Sequence, residues 1–440
     1  MSGRGRSNYR GSGGGRSNYR GGSSRGGGRG RGGRGGRGSS NKDSYLNPCN
    51  SFTMTGNCQH GNNCHNGHLI RFYKAFPASN PQSGYSQQTN DRLYSLKDVA
   101  FWDNNGQMQI FTGGDDGFWR LWSPASNFAK STEQNMNGTI ECLKVVSNYL
   151  FCGFEGPANG VPLAKAGHVR AWNLSNPVDP PLELYYGQAP YEYAHNLKVT
   201  ALDIQPNAGG SPRIITGSAD GLIRSWSMQQ PNKFVCEKTL PGHAGEVTGL
   251  VLVPGGNILW SSSQDGTIRI WDLAQPEPNA LQHTITAEPS NPNTPQQGSG
   301  IGHTGAVLAL VPLIMDKKMY IISGSVDNHI KVWDSTNGNL MTDENQGEGV
   351  RSMTVATTAG GTQVLLIGTT KGNISLRNIT ATTKLQPFQL LCTLSQHSNA
   401  GHRGAVTSIV GGSQGTFYTT GNDGQCIAWH LPPEFETFTN

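Results

Sequence analysis

Five times between Thr112 and Trp429 the chain repeats one spacing: a hydroxyl residue, an Asp four positions on, and a Trp six positions after the Asp. The matches are Thr112, Asp116 and Trp122; Thr216, Asp220 and Trp226; Ser261, Asp265 and Trp271; Ser323, Asp327 and Trp333; Thr419, Asp423 and Trp429. Four of the Asp are followed by Gly and the fifth by Asn328, as a tight hairpin turn prefers. Three units carry Gly-His upstream, at His243, His303 and His402. The clearest unit, LPGHAGEVTGLVLVPGGNILWSSSQDGTIRIWDL at 240–273, alternates apolar and polar residues in two runs, turns at Gln-Asp-Gly, and ends on TIRIWDL. That pattern predicts three consecutive short strands. Self-similarity at this period restricts the chain to an array of small sheets, and a composition with 60 Gly, 9 Trp and only 14% charged residues fits many short strands better than long helices.

The recurring His, Ser/Thr, Asp and Trp resemble the WD-repeat family. The resemblance implies a buried hydrogen-bond chain tying the three inner strands of each blade together. Two degenerate units complete the count. One runs IECLKVVSNYLFCGFEG to GHVRAWNL, with about ten extra residues expected in its turn; the other is GVRSMTVATTAGGTQVLLIGTTKGNISLRNI, with Lys371 and Arg377 at the Asp and Trp positions. The expected fold is therefore all-β, a seven-bladed WD-repeat β-propeller over residues 71–434. Rings of this family usually close with an outer strand from one chain end. The apolar run LIRFYKAF, 69–76, is assigned that role on the last blade, which would leave Ala78 to Asn90 as a rim loop. A polar, Pro-rich insertion at 287–301 is expected to be a loop between blades.

Two segments precede the repeats. Residues 1–40 consist of Gly, Arg, Ser, Asn and Tyr, with GRSNYRG repeated at 5 and 15 and GGGRGRGGRGGRG following. Nothing there can bury a core, so a disordered tail is expected. Its ten Arg exceed the whole-chain net charge of +5, so the rest of the chain is net acidic by five, and attraction to a polyanion falls to the tail. Arg29, Arg31, Arg34 and Arg37 can pair with phosphates and stack on bases. The segment resembles RGG tracts of RNA-binding proteins.

Residues 45–70 hold Cys49, Cys58, Cys64 and His68, separated by eight, five and three residues. Three thiolates and one imidazole form the usual tetrahedral set for structural Zn2+, and with Phe52 as the only aromatic between Cys49 and His68, zinc would have to supply the folding free energy. The spacing is that of the CCCH zinc fingers of the tristetraprolin type. That resemblance implies contact with single-stranded RNA, with Phe52 in the family's first aromatic position; His60 and Asn66 stand where further aromatics are usual. Tail, finger and seven repeats together resemble the ZFWD class known from plants.

The remaining chemistry is sparse. Eight Cys, five of them scattered, suit a reducing compartment. No apolar leader core and no run of eighteen apolar residues is present, so a nuclear or cytoplasmic protein that is neither secreted nor bound to a membrane is expected. The repeating Asp and His read as turn builders, and no nucleophile elbow or phosphate loop occurs, so neither enzymatic activity nor a small-molecule substrate is expected. The favoured function is an RNA-associated scaffold, with RNA on the tail and finger (Phe52, His60) and a protein partner on the propeller face. The alternative is a protein-only adaptor such as a ubiquitin-ligase substrate receptor. The receptors of that type that dock on cullin-4 ligases typically carry a basic residue after Trp-Asp, whereas Leu273-Ala274 and Ser335-Thr336 follow it here.

Overall fold

A computed structural model describes residues 53, 54, 59, 70–80, 93–158, 164–186, 193–206, 212–230, 233–288, 300–358, 360–379, 388–395 and 401–431. The tail and all four zinc-ligand candidates lie outside these, as do Phe52 and His60.

Seven antiparallel four-stranded sheets follow one another round a ring. Blade 1 holds β2 (Leu96–Asn104), β3 (Gln107–Gly114), β4 (Phe118–Ser123) and β5 (Ala129–Asn135). Blade 2 holds β6 (Thr139–Val146), β7 (Tyr149–Pro157), β8 (Lys165–Asn173) and the short β9 (Leu182–Leu184). Blade 3 comprises β10 (Val199–Gln205), β11 (Arg213–Ser218), β12 (Ile223–Gln230) and β13 (Lys233–Leu240). In blade 4 are β14 (Val247–Leu252), β15 (Ile258–Ser263), β16 (Ile268–Asp272) and β17 (Leu281–Ile285). Blade 5 is β18 (Val307–Met315), β19 (Lys318–Ser325), β20 (His329–Asp334) and β21 (Leu340–Asn345); blade 6 is β22 (Val350–Thr357), β23 (Gln363–Thr369), β24 (Ile374–Asn378) and β25 (Gln389–Leu394). Blade 7 has β26 (Val406–Gly411), β27 (Thr416–Gly421) and β28 (Gln425–His430), and its outer strand is β1 (Arg71–Pro77), from the other end of the chain.

The closing strand is thus the one the apolar run 69–76 suggests. β1 pairs antiparallel with β28, from Arg71 opposite His430 to Pro77 opposite Gln425. It grips both sides of the seam: Phe72 meets the Trp429 ring edge-on in blade 7, while Phe76 packs at 4.9 Å on Trp122 and 5.0 Å on Phe128 of blade 1. Lys74 Nζ donates to the Asn127 carbonyl at 2.6 Å.

Each inner strand has at its first or second position one apolar residue wholly excluded from solvent: Leu96, Ile140, Val199, Val247, Val307, Val350 and Val406. These seven form a ring around the axis, and the preceding blade must accommodate each of them. A Cβ on Gly217 would come within 2.5 Å of Val247 Cγ1, which explains a glycine in the middle strand where a β-branched residue would otherwise suit. The glycine after four of the turn Asp has its own reason: Gly266 lies at φ +82° and Gly221 at φ +76°, where a side chain is strained.

Two expectations need correction. Ala78 to Asn80 do not belong to the rim loop. Ala78 N–H donates to the Gly424 carbonyl, Ser79 Oγ donates to the Tyr94 carbonyl at 2.6 Å, and Asn80 N–H donates to Asp116 at 2.8 Å. The extra residues of blade 2 also do not all sit in a turn. They lengthen the hairpin itself, because β7 and β8 stay in register out to Pro157 opposite Lys165. Of the 287–301 insertion, residues 289–299 lie outside the described residues, and its base is closed by Gly300 N–H donating to the Glu288 carbonyl.

Candidate functional site

The His, hydroxyl, Asp and Trp of each strong repeat meet in one chain of hydrogen bonds. In blade 4, Trp271 Nε1 donates to Ser261 Oγ at 2.9 Å, Ser261 lies 2.8 Å from His243 Nε2, and His243 Nδ1 lies 3.1 Å from Asp265. A carboxylate only accepts, so Nδ1 carries the proton and the serine hydroxyl donates to Nε2. Asp265 also accepts the Ala244 and Thr267 backbone N–H groups, fixing the turn to the loop that enters the blade. Blades 5 and 7 repeat this with His303, Ser323, Asp327 and Trp333, and with His402, Thr419, Asp423 and Trp429.

Blade 3 contains the same chain through His195, which donates toward Asp220 at 3.2 Å and sits 2.7 Å from Thr216 Oγ1. Sequence reading misses His195 because Ala194 precedes it instead of Gly. Its distance upstream of the turn Asp is the signal that could have found it. Blade 1 has no histidine in this chain: Asn80 N–H binds Asp116 as Asn196 N–H binds Asp220, which puts Ser79 at the histidine position.

The degenerate blades replace the chain. In blade 2, Cys152 occupies the hydroxyl position, since Leu150 faces Trp172 as Leu259 faces Trp271, and Met136 fills the space of the histidine. In blade 6, Arg377 does stand at the Trp position, facing Leu365, and its guanidinium pairs with Glu344 of blade 5 and donates to the Phe388 carbonyl at 2.6 Å. A further device went unread in the sequence: a cation two residues before the Trp pins the entry loop. Arg120 donates to the Ala78 carbonyl, Arg224 to that of Ala194 and Lys331 to that of Ile301.

These His–Asp pairs resemble a set of catalytic dyads, yet every ring nitrogen in them is committed to a structural partner. Burial holds His195 and His243 below the ordinary histidine value of 6.5, against the pull of Asp220 and Asp265. Asp220 and Asp265 are in turn below the usual 3.8: burial, the largest single influence, raises them, but the histidine and the hydrogen bonds of the turn together outweigh it. The unfolded chain therefore binds more protons than the folded one below pH 6.5, so stability falls on acidification. Melting followed from pH 7.5 to 4.5 is expected to show Tm dropping steadily below 6.5; a flat profile would contradict the assignment of neutral histidines.

The inner strands enclose an axial cavity of about 290 Å³ to which every blade contributes. Hydrogen bonds around it link neighbouring blades. Thr200 Oγ1 donates to the Val247 carbonyl at 2.6 Å, Thr248 to Val307 at 2.5 Å and Ser352 to Val406 at 2.9 Å. Asp98 accepts Ser408 Oγ at 2.6 Å from blade 7 and Leu143 N–H at 2.7 Å from blade 2, so one carboxylate spans three blades at the closing seam. Between blades 5 and 6 the corresponding residues are Leu308 and Ala309, which have no side-chain polar atom.

The face carrying the Asp turns and the entry loops, here the upper face, opens onto this cavity. On the side of blades 2 to 4 its charges neutralise each other, with Lys198 reaching Glu246 at 3.2 Å and Glu141 at 3.5 Å. Burial raises the Glu141 carboxyl, and Lys198 opposes that shift. Among the described residues no group of three or more His, Cys, Asp or Glu is placed to hold a metal ion, and no helix is long and apolar enough to cross a membrane. Cys142, Cys152, Cys236, Cys392 and Cys426 are all free thiols.

Comparison with known proteins finds WD40 repeats, described as WD domain, G-beta repeat, at residues 82–123, 188–227, 234–272 and 296–334. These segments correspond to blades 1, 3, 4 and 5; the remaining blades are seen in the sheet topology. Among curated proteins the chain is similar to the ribosome biogenesis protein YTM1 of Podospora anserina, 22% identical over 367 residues, and to ytm1 of Botryotinia fuckeliana and of Aspergillus terreus, each 23% identical. Each alignment covers 78% of this chain and 61–62% of the relative, so the chain spans about three-fifths of the length of the curated relatives it matches.

Proposed function

We propose that this chain is a non-enzymatic scaffold that holds single-stranded RNA through its N-terminal segments and a protein on the upper face of its seven-bladed WD40 propeller. The observation that carries the protein-binding half is the closed ring: its acid/base pairs are consumed in holding blades together, while among the described residues the upper face around the cavity mouth is open. The RNA half rests on sequence chemistry. Ten Arg lie in a glycine-rich tail, and Cys49, Cys58, Cys64 and His68 form a donor set that suits Zn2+, with Phe52 and His60 available to stack on bases. When bound, zinc would supply the folding free energy of that short segment.

The chain enters the propeller at Ile70, beside the start of β1 and therefore on the lower face, opposite the Asp turns. The relatives are named for ribosome biogenesis, and we propose assembly of an RNA–protein particle, in the nucleus or cytoplasm, as the setting.

The test is binding of the full chain to a panel of short single-stranded RNAs across a salt series. Cys64→Ser is expected to lose the zinc-dependent part of the affinity. Replacing Arg29, Arg31, Arg34 and Arg37 by Ser is expected to reduce the salt slope by up to about 3, at ~0.7 per phosphate contact on a single strand. A full chain that binds none of the RNAs sinks the RNA half of the reading and leaves a protein-only adaptor.

A further inference from the structure

The upper mouth of the cavity is not uniform around its rim. On the side of blades 2 to 4, Glu141, Lys198 and Glu246 satisfy one another. On the side of blades 5 to 7 the Arg351 guanidinium, half-buried at the cavity wall, has no partner among the described residues, and the Arg403 side chain is exposed. Glu348, three residues before Arg351, is occupied by Asn373 Nδ2 at 2.9 Å and by Lys371, while Asp327 and Asp423 are held by His303 and His402. Next to Arg351, on its blade 5 side, lies apolar surface. Val326, 41% exposed on its hairpin turn, has its Cα against Gly349, two residues before Arg351, and Leu308 lines the same cavity as Arg351. This is also the one seam where the inter-blade residues Leu308 and Ala309 offer no polar side chain to a neighbour.

The geometry points to a docking site for an acidic peptide segment on the blade 5 to 7 half of the upper mouth, with Arg351 and Arg403 receiving carboxylates and Val326 and Leu308 receiving an apolar side chain. This deepens the scaffold reading by naming where its protein partner binds and with what chemistry. An unpaired guanidinium beside a small apolar patch is the composition from which binding hot spots are drawn. The charge sets the sign of the partner: a basic segment would meet Arg351 uncompensated, whereas an acidic one gains charge-assisted hydrogen bonds. Single-stranded RNA fits less well, because among the described residues no aromatic ring lines the cavity to give bases a stacking plane.

The experiment uses the full chain and fluorescein-labelled dodecapeptide pools, one built from Leu, Ile, Asp and Glu, the other from Leu, Ile, Lys and Arg, read by fluorescence polarisation. The acidic pool is expected to bind and the basic pool not. Arg351→Glu is expected to weaken acidic binding at least about tenfold, and Val326→Glu to weaken it as well, while Arg351→Lys retains most of it. Lys97→Glu, on blade 1 outside the proposed site, is expected to change it less than about threefold. Melting curves of each variant establish that the ring is intact. The proposal is overturned if both pools bind equally, if neither binds, if Arg351→Glu changes nothing, or if a twelve-nucleotide oligo(U) displaces the peptide from this site. None of these outcomes depends on Cys64, so RNA binding by the N-terminal segments stands or falls separately.

Discussion

A chain truncated to begin at residue 91 is expected to lose its cooperative unfolding transition and to aggregate, although it keeps every strand from β2 to β28. What it loses is the outer strand of blade 7. Without β1 the β28 edge exposes a row of unpaired N–H and C=O groups, a template for intermolecular pairing. Ile70, Phe76 and Ala78, all buried, are lost with it, and Trp122, Phe128 and Trp429 lose the packing they share with Phe76 and Phe72. The single substitution Phe76→Ala in the full chain isolates part of the effect. A large aromatic removed from a well-packed site costs about 3–5 kcal/mol, read as a lower Tm by scanning fluorimetry. A truncated chain that elutes as a monomer with an unchanged melting transition would contradict this account of closure.

The second large effect is expected at Asp98. Replacement by Ala leaves the Ser408 hydroxyl and the Leu143 N–H without their acceptor on both flanks of the closing seam. Each such buried orphan costs about 1–3 kcal/mol, so a loss of roughly 3–5 kcal/mol is expected, measured by denaturant unfolding. Asp98→Asn keeps the volume and one acceptor and should lose less; equal losses in the two variants would mean that both carboxylate oxygens are required and that a single acceptor of the same size does not suffice. Burial lifts the Asp98 carboxyl above its ordinary 3.8 despite its three hydrogen bonds. Because this pKa is raised on folding, its contribution is fully present below 3.8 and declines as pH rises through the folded value. Asp98 therefore opposes acid unfolding, and the fall in stability below pH 6.5 belongs to the His–Asp chains.

The architecture was legible because it is periodic. Hydroxyl, Asp and Trp recur at fixed spacing in five units, and the spacing is imposed by a local hairpin: Ser261, Asp265 and Trp271 are within eleven residues of one another. The closing strand was legible for a similar reason, since LIRFYKAF is an apolar run with no partner nearby in sequence and the last blade lacks an outer strand. Where the period fails the structure found another way to fill the same volume, with Met136 and Cys152 in blade 2 and an Arg377–Glu344 pair in blade 6. Sequence alone could align those positions and could not say what would occupy the space. Cys49, Cys58, Cys64, His68 and the arginine-rich tail rest on sequence chemistry throughout.

The sequence by itself determined that this chain is a ring of seven small sheets closed by a strand from its N-terminal side, because hairpin turns and strand alternation are local and repeat in every unit. Only the tertiary structure decided that Asp98 ties three blades together, that Ser79 sits at the histidine position of blade 1, and that the upper mouth pairs Lys198 with two glutamates on one side while Arg351 on the other has no partner among the described residues. Those features join residues tens to hundreds of positions apart, such as Asp98 with Ser408 and Glu141 with Lys198, and the ring alone brings them within bonding distance.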